Sequence, residues 1–362
     1  MRKLNYSVLL ILFVGLAYTA QAQNLTLPNA SPKAKVYEQL GMTDVYIKYH
    51  RPGVKGREGK VWGSIVPYND GTKGQPWRAG ANDNTVIGFS HDVKINGKTL
   101  KAGKYGLHVF PTENTWTFVF SKNTTSWGSY FYKPEEDALR VTSNVETCDY
   151  VEFLKYEFTG QTKNSLNVEL SWERKKAAFT VEVDLHEIVL ADIRNQLRHL
   201  NAYSWQSWNQ AAQYCLANDV NLEEGLKWVQ YSINGGFGSQ ANFQNLQTKS
   251  QLLAKLGKTA EADKTMVAAL DLATMRDLHF YARSLIQAKK PKEAMEIFER
   301  NRKQNPNDKF TTLVGLARGN MALGNDKKAI KYFKEAAPNA PQGQEQFYLD
   351  LAKKLENKKN SK

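Results

Sequence analysis

Residues Ala178-Phe179-Thr180-Val181-Glu182-Val183-Asp184-Leu185 alternate apolar and polar side chains, the period of a half-buried β-strand. Shortly afterwards the period lengthens. Trp208, Ala211, Ala212, Cys215 and Leu216 fall at i, i+3, i+4, i+7 and i+8, one apolar stripe on an α-helix. The switch near Ile188 separates two parts of different construction. At 362 residues the chain is long enough for two cores of roughly 150 residues each. Its 41% hydrophobic content supplies both, which excludes wholesale disorder.

Toward the N-terminus, Gly, Pro, Asn and Asp punctuate residues 23–187 at short intervals. Between them lie runs rich in β-branched and aromatic residues. Val45 to Tyr49, Thr85 to Phe89, Val151 to Phe158 and Ser165 to Trp172 read as strands, as does Ala178 to Leu185. Asp92 to Ile95 and Lys98 to Leu100 flank Asn96-Gly97, the dipeptide that supplies the two positive-φ residues of a type I′ hairpin. Tyr105 to Phe110 and Trp116 to Phe120 flank Pro111-Thr112-Glu113-Asn114, a second hairpin. Short strands without intervening helices predict an all-β antiparallel sandwich over residues 23–187.

Toward the C-terminus the helical stripes recur. Leu278, Tyr281, Ala282, Leu285 and Ile286 form one, and Leu313, Leu316, Ala317 and Met321 another. Each is followed by a polar turn and a second stripe, such as Ala294, Ile297, Phe298 and Ala329, Tyr332, Phe333, Ala336. The turns align with one another. Leu256-Gly257-Lys258-Thr259-Ala260-Glu261-Ala262 matches Ala288 to Ala294 and Leu323 to Ala329, with Asp219 to Gly225 a weaker copy. The aligned Gly225, Ala262, Ala294 and Ala329 are spaced by 37, 32 and 35 residues. This pattern resembles degenerate tetratricopeptide repeats, whose helix pairs recur at about 34 residues. The resemblance implies a helical array over residues 188–356, a surface suited to a protein or peptide partner, and buried alanines at the aligned position. Gln344 to Leu355 reads as the terminal capping helix, residues 357–362 as a polar tail, and Asn221-Leu222-Glu223-Glu224 as a capping box. The fold class is therefore α+β as two domains.

The first residues belong to neither domain. Arg2 and Lys3, the apolar run Val8 to Leu16 and the small-x-small Ala20-Gln21-Ala22 form the pattern of a secretory signal peptide cleaved after Ala22. The expected localisation is periplasmic or secreted, with no transmembrane segment left after cleavage. Charge is uneven. Residues 23–187 hold 21 basic and 19 acidic residues, net +2, whereas residues 188–362 hold 26 and 17, net +9. The excess is either a solubilising lysine-rich face or an attraction for anionic partners. Nucleic acid is not expected for an exported chain. Cys148 and Cys215 fall in different parts, so a bridge between them would staple the two together.

One region of the β part is unusual. Tyr49-His50-Arg51-Pro52-Gly53-Val54-Lys55-Gly56-Arg57 leads to Val61-Trp62-Gly63 and Pro67-Tyr68. Trp77-Arg78-Ala79-Gly80-Ala81-Asn82, Ala102-Gly103-Lys104-Tyr105-Gly106 and Trp127-Gly128 follow. In these pieces residues from about 31 to 187 resemble the exported bacterial family known as domain of unknown function 2911. The resemblance implies a Bacteroidetes-type envelope origin and brings no activity. On physical grounds Arg51, Lys55, Arg57 and Arg78 could converge on an anion, with Trp77 as a flat apolar face and Asn82 as a polar neighbour. Such a site would take a glycan or a small anionic ligand. The competing reading has the glycines making turns, the tryptophans packing in the sandwich, and the arginines pairing with Asp70, Asp83 or surface carboxylates.

Catalytic patterns are weak. The six histidines show no metal spacing on one helix, and no cofactor motif is present. Ser126-Trp127-Gly128-Ser129 is not a nucleophile elbow, and Glu135-Glu136-Asp137 reads as a solvated acidic loop. The leading reading is a non-enzymatic envelope scaffold that binds a protein through its helices. The alternatives are a ligand-binding module in the β part and a hydrolase there.

Overall fold

The computed structural model describes residues 27–72 and 74–360. The signal peptide expected over residues 1–22, with its cleavage after Ala22, lies outside the described residues. The chain forms two compact units that divide between Val189 and Leu190.

Among the described residues, ten strands build the first unit: β1 (Lys33–Leu40), β2 (Thr43–His50), β3 (Thr85–Phe89), β4 (Val93–Ile95), β5 (Lys98–Leu100), β6 (Gly103–Pro111), β7 (Thr115–Ser121), β8 (Asp137–Asn144), β9 (Glu146–Thr159) and β10 (Ser165–Glu182). They form a six-stranded sheet, β1-β2-β3-β6-β7-β8, and a four-stranded sheet, β5-β4-β10-β9. Neighbours are antiparallel throughout. Alternate residues of both sheets face a shared core. Val45 and Ile47 of β2, Leu107 and Val109 of β6, and Trp116, Phe118 and Phe120 of β7 enter it from the larger sheet. Leu166, Val168 and Leu170 enter it from β10. Phe179 meets Phe118 at 5.0 Å and Phe120 at 5.3 Å between ring centres. Burying each such side chain stabilises the fold by about 1.5–3 kcal/mol.

The Asn96-Gly97 hairpin forms as the dipeptide requires, with φ of 46° and 78° joining β4 to β5. Two strands, β1 and β8, were not anticipated. The runs Ser165 to Trp172 and Ala178 to Leu185 merge into one long strand, β10, which ends at Glu182, and Leu185 already opens the helix that follows. Glu173 sits in β10 with φ 56° and the register shifts on either side of it, so the strand bends and its face changes. The acidic run is not a loop: Glu135 and Glu136 lie in a short 3-10 turn of helix over Pro134–Glu136, and Asp137 opens β8 and is drawn into contacts with Tyr132 and Arg140.

Ten helices follow among the described residues: α1 (Leu185–Gln196), α2 (Trp205–Asn218), α3 (Leu222–Asn234), α4 (Phe243–Lys255), α5 (Thr259–Asp271), α6 (Met275–Gln287), α7 (Pro291–Gln304), α8 (Thr311–Ala322), α9 (Asp326–Ala336) and α10 (Glu345–Asn360). The boundary between units falls inside α1. From α2 onward the helices pair as hairpins, α2 with α3, α4 with α5, α6 with α7 and α8 with α9. The aligned turns share one geometry. Asp219, Gly257, Lys289 and Gly324 all take the left-handed conformation, with φ of 58°, 77°, 61° and 77°. At each, the next amide reaches back to the carbonyl five residues earlier, as in Lys258 to Leu253 at 2.9 Å and Asn325 to Asn320 at 2.8 Å. This is the helix-ending pattern that satisfies orphan carbonyls. Ala262, Ala294 and Ala329 are buried, each at the start of a second helix. A methyl on Gly225 would stand 2.8 Å from Cβ of Cys215, so that copy of the repeat packs too closely for alanine.

Asn221 is not a capping box. Its backbone is left-handed and its side chain makes no cap bond but donates to Glu224 at 3.2 Å, and Glu224 also accepts from the guanidinium of Arg194 at 2.7 and 2.8 Å, so it does not reach back to the Asn221 amide. Reciprocal boxes occur at Asn242 with Asn245 and at Thr274 with Asp277. The final helix runs to Asn360, into the stretch read as a polar tail. Among the described residues no helix is long and apolar enough to cross a membrane.

Candidate functional site

The six residues singled out in the β part fall into two groups with different surroundings. Arg51 donates to the carbonyl of Leu154 at 2.9 Å and lies over the ring of Phe153. The amide of Lys55 binds the carboxylate of Glu152 at 2.9 Å. Arg57 donates to the carbonyls of Val54 and Gly53 at 2.9 and 2.8 Å. These three brace the irregular 51–57 segment, with Arg51 and Lys55 tying it to β9. The second group is Trp77, Arg78 and Asn82. Arg78 donates to the carbonyl of Asn82 at 2.8 Å, and Trp77 donates to that of Gly80 at 3.1 Å. The side-chain hydrogen bonds of Arg51, Arg57 and Arg78 go to backbone carbonyls and, among the described residues, not to Asp70, Asp83 or another carboxylate. A guanidinium carries five donors in a plane and suits backbone that has left the sheet ladder. Trp62 packs with Trp77, Trp116 and Trp172 in the sandwich, at ring-centre distances from 4.6 to 5.9 Å.

Trp77 and Arg78 line an open cleft of about 730 Å³, together with Ile65, Tyr68, Asp70, Thr112, Ser129 and Tyr130 among others. The position follows from the strand register. Trp77 pairs with Val109 beside β3, which turns Trp77 toward the core and Arg78 toward the opposite face. On that face His108 and Phe110 of β6 are covered by the segment between β7 and β8. The same segment carries Trp127, Tyr130 and Phe131, all exposed. The rings of Trp127 and Tyr130 lie within 6° of parallel at 5.7 Å, and Cζ of Arg78 stands 4.9 and 5.6 Å from their centres. Such contacts are each worth about 0.5–1 kcal/mol where exposed. Trp127-Gly128 stood out in the sequence, but nothing there tied it to Arg78, some fifty positions earlier.

Ser129 and His108 form the floor beneath Arg78, with Oγ 2.9 Å from Nδ1. Burial, and then the charge of Arg78, push the imidazole down to about 4, so it is neutral at pH 7. Asp137 accepts from the Tyr132 hydroxyl at 2.7 Å and from Arg140 at 2.6 Å. It therefore completes a Tyr–Arg pair and does not orient His108. Acyl transfer needs a base that is itself oriented and a donor pair for the oxyanion. The hydrogen bond between Ser129 and His108 fixes the position of both side chains.

A second cluster lies on the helical unit. His279 and Arg283 are one turn apart on α6, Arg318 is on α8, and Tyr348 is on α10. These are the first helices of two hairpins and the closing helix. Burial and then the neighbouring Arg283 and Arg318 push His279 down to about 4. Burial and then Arg283 also pull Arg318 below its ordinary value, against a hydrogen bond with Tyr348. Nδ1 of His279 and Nε of Arg318 are buried without a partner among the described residues. The nearby Asp308, just ahead of α8, is occupied by the amide and hydroxyl of Thr312 at 2.7 and 3.0 Å. Beside the cluster the exposed ring of Phe280 lies under Arg276 and Arg283 at 5.5 and 5.7 Å. The +9 balance of this half was the sequence signal, but it did not point to these positions.

An antiparallel two-sheet unit followed by an array of helical hairpins defines the architectural class. Within it, residues 31–181, spanning β1 to most of β10, match the family described as "Protein of unknown function (DUF2911)". Six chains of solved structures also match. One is a mutant of MamA, at 12% identity and a TM-score of 0.27, covering 42% of this chain and 83% of that chain. A likeness of that size carries no functional weight. No curated protein matches the sequence.

Proposed function

We propose that this is an exported, non-enzymatic binding protein whose helical array docks an acidic segment of a partner protein. Export rests on the pattern of the first 22 residues, and N-terminal sequencing of the secreted chain tests it: Gln23 is the expected first residue. Docking rests on one observation, the convergence of His279, Arg283 and Arg318 with two of their buried nitrogens unpartnered. Crowded cations are costly unless an anion joins them, and the unpaired buried N–H of Arg318 costs more still, whereas His279 is neutral and adds no charge. An acidic side chain or a chain-end carboxylate would relieve both. Stacked first helices offer a continuous face for an extended or helical peptide, and exposed Phe280 adds an apolar anchor.

The test is selection from a random peptide display library on the mature full-length protein. The reading expects enrichment of peptides carrying clustered Asp or Glu near an aromatic or aliphatic residue. It also expects that enrichment to vanish on an Arg283→Glu, Arg318→Glu variant. Selected peptides with no acidic bias would remove the basic face from the account.

A further inference from the structure

We infer that the cleft beside Arg78 in the β unit is a saccharide site that takes an acidic sugar, one bearing a uronic-acid carboxylate. This goes beyond peptide docking on the helices and rests on a different set of residues. The cleft, at about 730 Å³, lies within the roughly 300–1,000 Å³ range of small-ligand sites. Exposed rings line it and adjoin it. Tyr68 and Tyr130 in its lining are 40% and 65% exposed, and Trp127, stacked on Tyr130, and Phe131, next in sequence to Tyr130, are 56% and 72% exposed. A cluster of exposed rings on one loop is costly in water and marks a surface that binds something. Flat rings suit the C–H faces of a pyranose, which are apolar, while the hydroxyls around the sugar's edge need donors and acceptors. Gln75 and the Tyr130 hydroxyl offer these along the wall, where the hydroxyls of Thr112 and Ser129 are already bonded to Thr115 and His108.

The cation selects the acidic sugar. Arg78 has no ion-pair partner among the described residues, and one of its donors is spent on the Asn82 carbonyl. It is held from two sides, by the Trp127 and Tyr130 rings and by Gly128. A methyl at Gly128 would stand 2.7 Å from Cζ of Arg78, so the backbone there approaches the guanidinium as closely as a glycine allows. His108 beneath it is neutral, so it adds no competing charge. A pre-positioned guanidinium beside stacked rings matches a ring sugar with a carboxylate, because a bidentate contact and a stacking contact can form together.

The experiment is an array of defined oligosaccharides probed with the mature full-length protein. The acidic arm holds galacturonate, mannuronate and glucuronate–hexosamine oligomers. The neutral arm holds maltose, cellulose and xylan oligomers. The inference expects binding to at least one acidic series above all neutral ones. Arg78→Gln and Trp127→Ala should each lower that signal by roughly ten-fold or more, and Arg51→Gln, outside the cleft, should not. Trp127 is exposed, so its truncation spares the core. Circular dichroism melts confirm that Arg78→Gln remains folded, and Tyr130→Ala replaces it as the test if it does not. Binding to no oligosaccharide, equal binding to neutral and acidic series, or unchanged binding in folded Arg78→Gln would each overturn the assignment. So would full competition by phosphate or citrate at the oligosaccharide's own concentration, which would make the site one for free anions. Loss of peptide selection in the Arg283, Arg318 variant with saccharide binding intact would separate this site from the helical one.

Discussion

Arg78 occupies its place because Gly128 has no side chain. Gly128 also has φ of 69°, where an L-residue costs about 1–2 kcal/mol. Gly128→Ala is therefore expected to lower stability by at least that amount and to displace the guanidinium, read as a lower melting temperature and changed tryptophan fluorescence. His108 below it makes a second prediction. Its folded value, about 4, lies below the ordinary 6.5, so between those pH values the unfolded chain binds more protons than the folded one. The stability of the neutral, buried state is fully present above about pH 6.5 and falls as pH drops toward 4, by up to about 1.4 kcal/mol per unit. Denaturant melts of wild type against His108→Asn should show the wild type losing more over that window. Parallel curves would mean that His108 titrates normally. His279 adds a loss of the same sign in the helical unit, so the comparison needs the single variant. These contacts were not legible in sequence. Arg78, His108 and Ser129 come from three segments that only the sheet register brings together, whereas Trp77 and Arg78 were marked by their own unusual neighbourhood.

At the scale of elements, local chemistry was the readable part. Asn96-Gly97 specifies its turn through two positive φ values, and the aligned helix turns specify theirs through the same left-handed residue. Two of those four positions lack glycine, and Lys289 at φ 61° carries the strain of a side chain there. Lys289→Gly should raise stability by up to about 1 kcal/mol, while Gly257→Ala and Gly324→Ala should lower it by a similar amount. Thermal melts of the three variants check the sign. The aligned alanines make a companion prediction. Leucine at Ala294 or Ala329, both fully buried, should overpack the hairpin by roughly 1–3 kcal/mol. Unchanged melts at both would contradict the repeat register. What escaped sequence reading has long-range causes. Glu224 was spoken for by Arg194, thirty positions away. Glu173 bent one strand where alternation alone suggested two, and its carboxylate accepts the amide of Gly59 from another loop. The edge strands β1 and β8 each expose one face, so their apolar pattern is too thin to register.

The whole molecule comprises two units with separate cores, and one recognition surface is proposed on each. Residues 23–187 expressed alone should unfold cooperatively, and absence of a cooperative melt would show that the β unit depends on the helices. The two surfaces differ in kind. The helical face gathers charge from α6 and α8, and its binding should weaken steeply with salt. The cleft in the β unit joins one guanidinium to stacked rings, and its binding should be less salt-sensitive. The most direct test of the central claim is fluorescence anisotropy of an acidic display-selected peptide against the mature protein and its Arg283→Glu, Arg318→Glu variant, across an ionic-strength series. The account predicts binding by wild type that weakens with salt and falls by about ten-fold or more in the folded variant. Equal affinity of the two proteins at every ionic strength would contradict it.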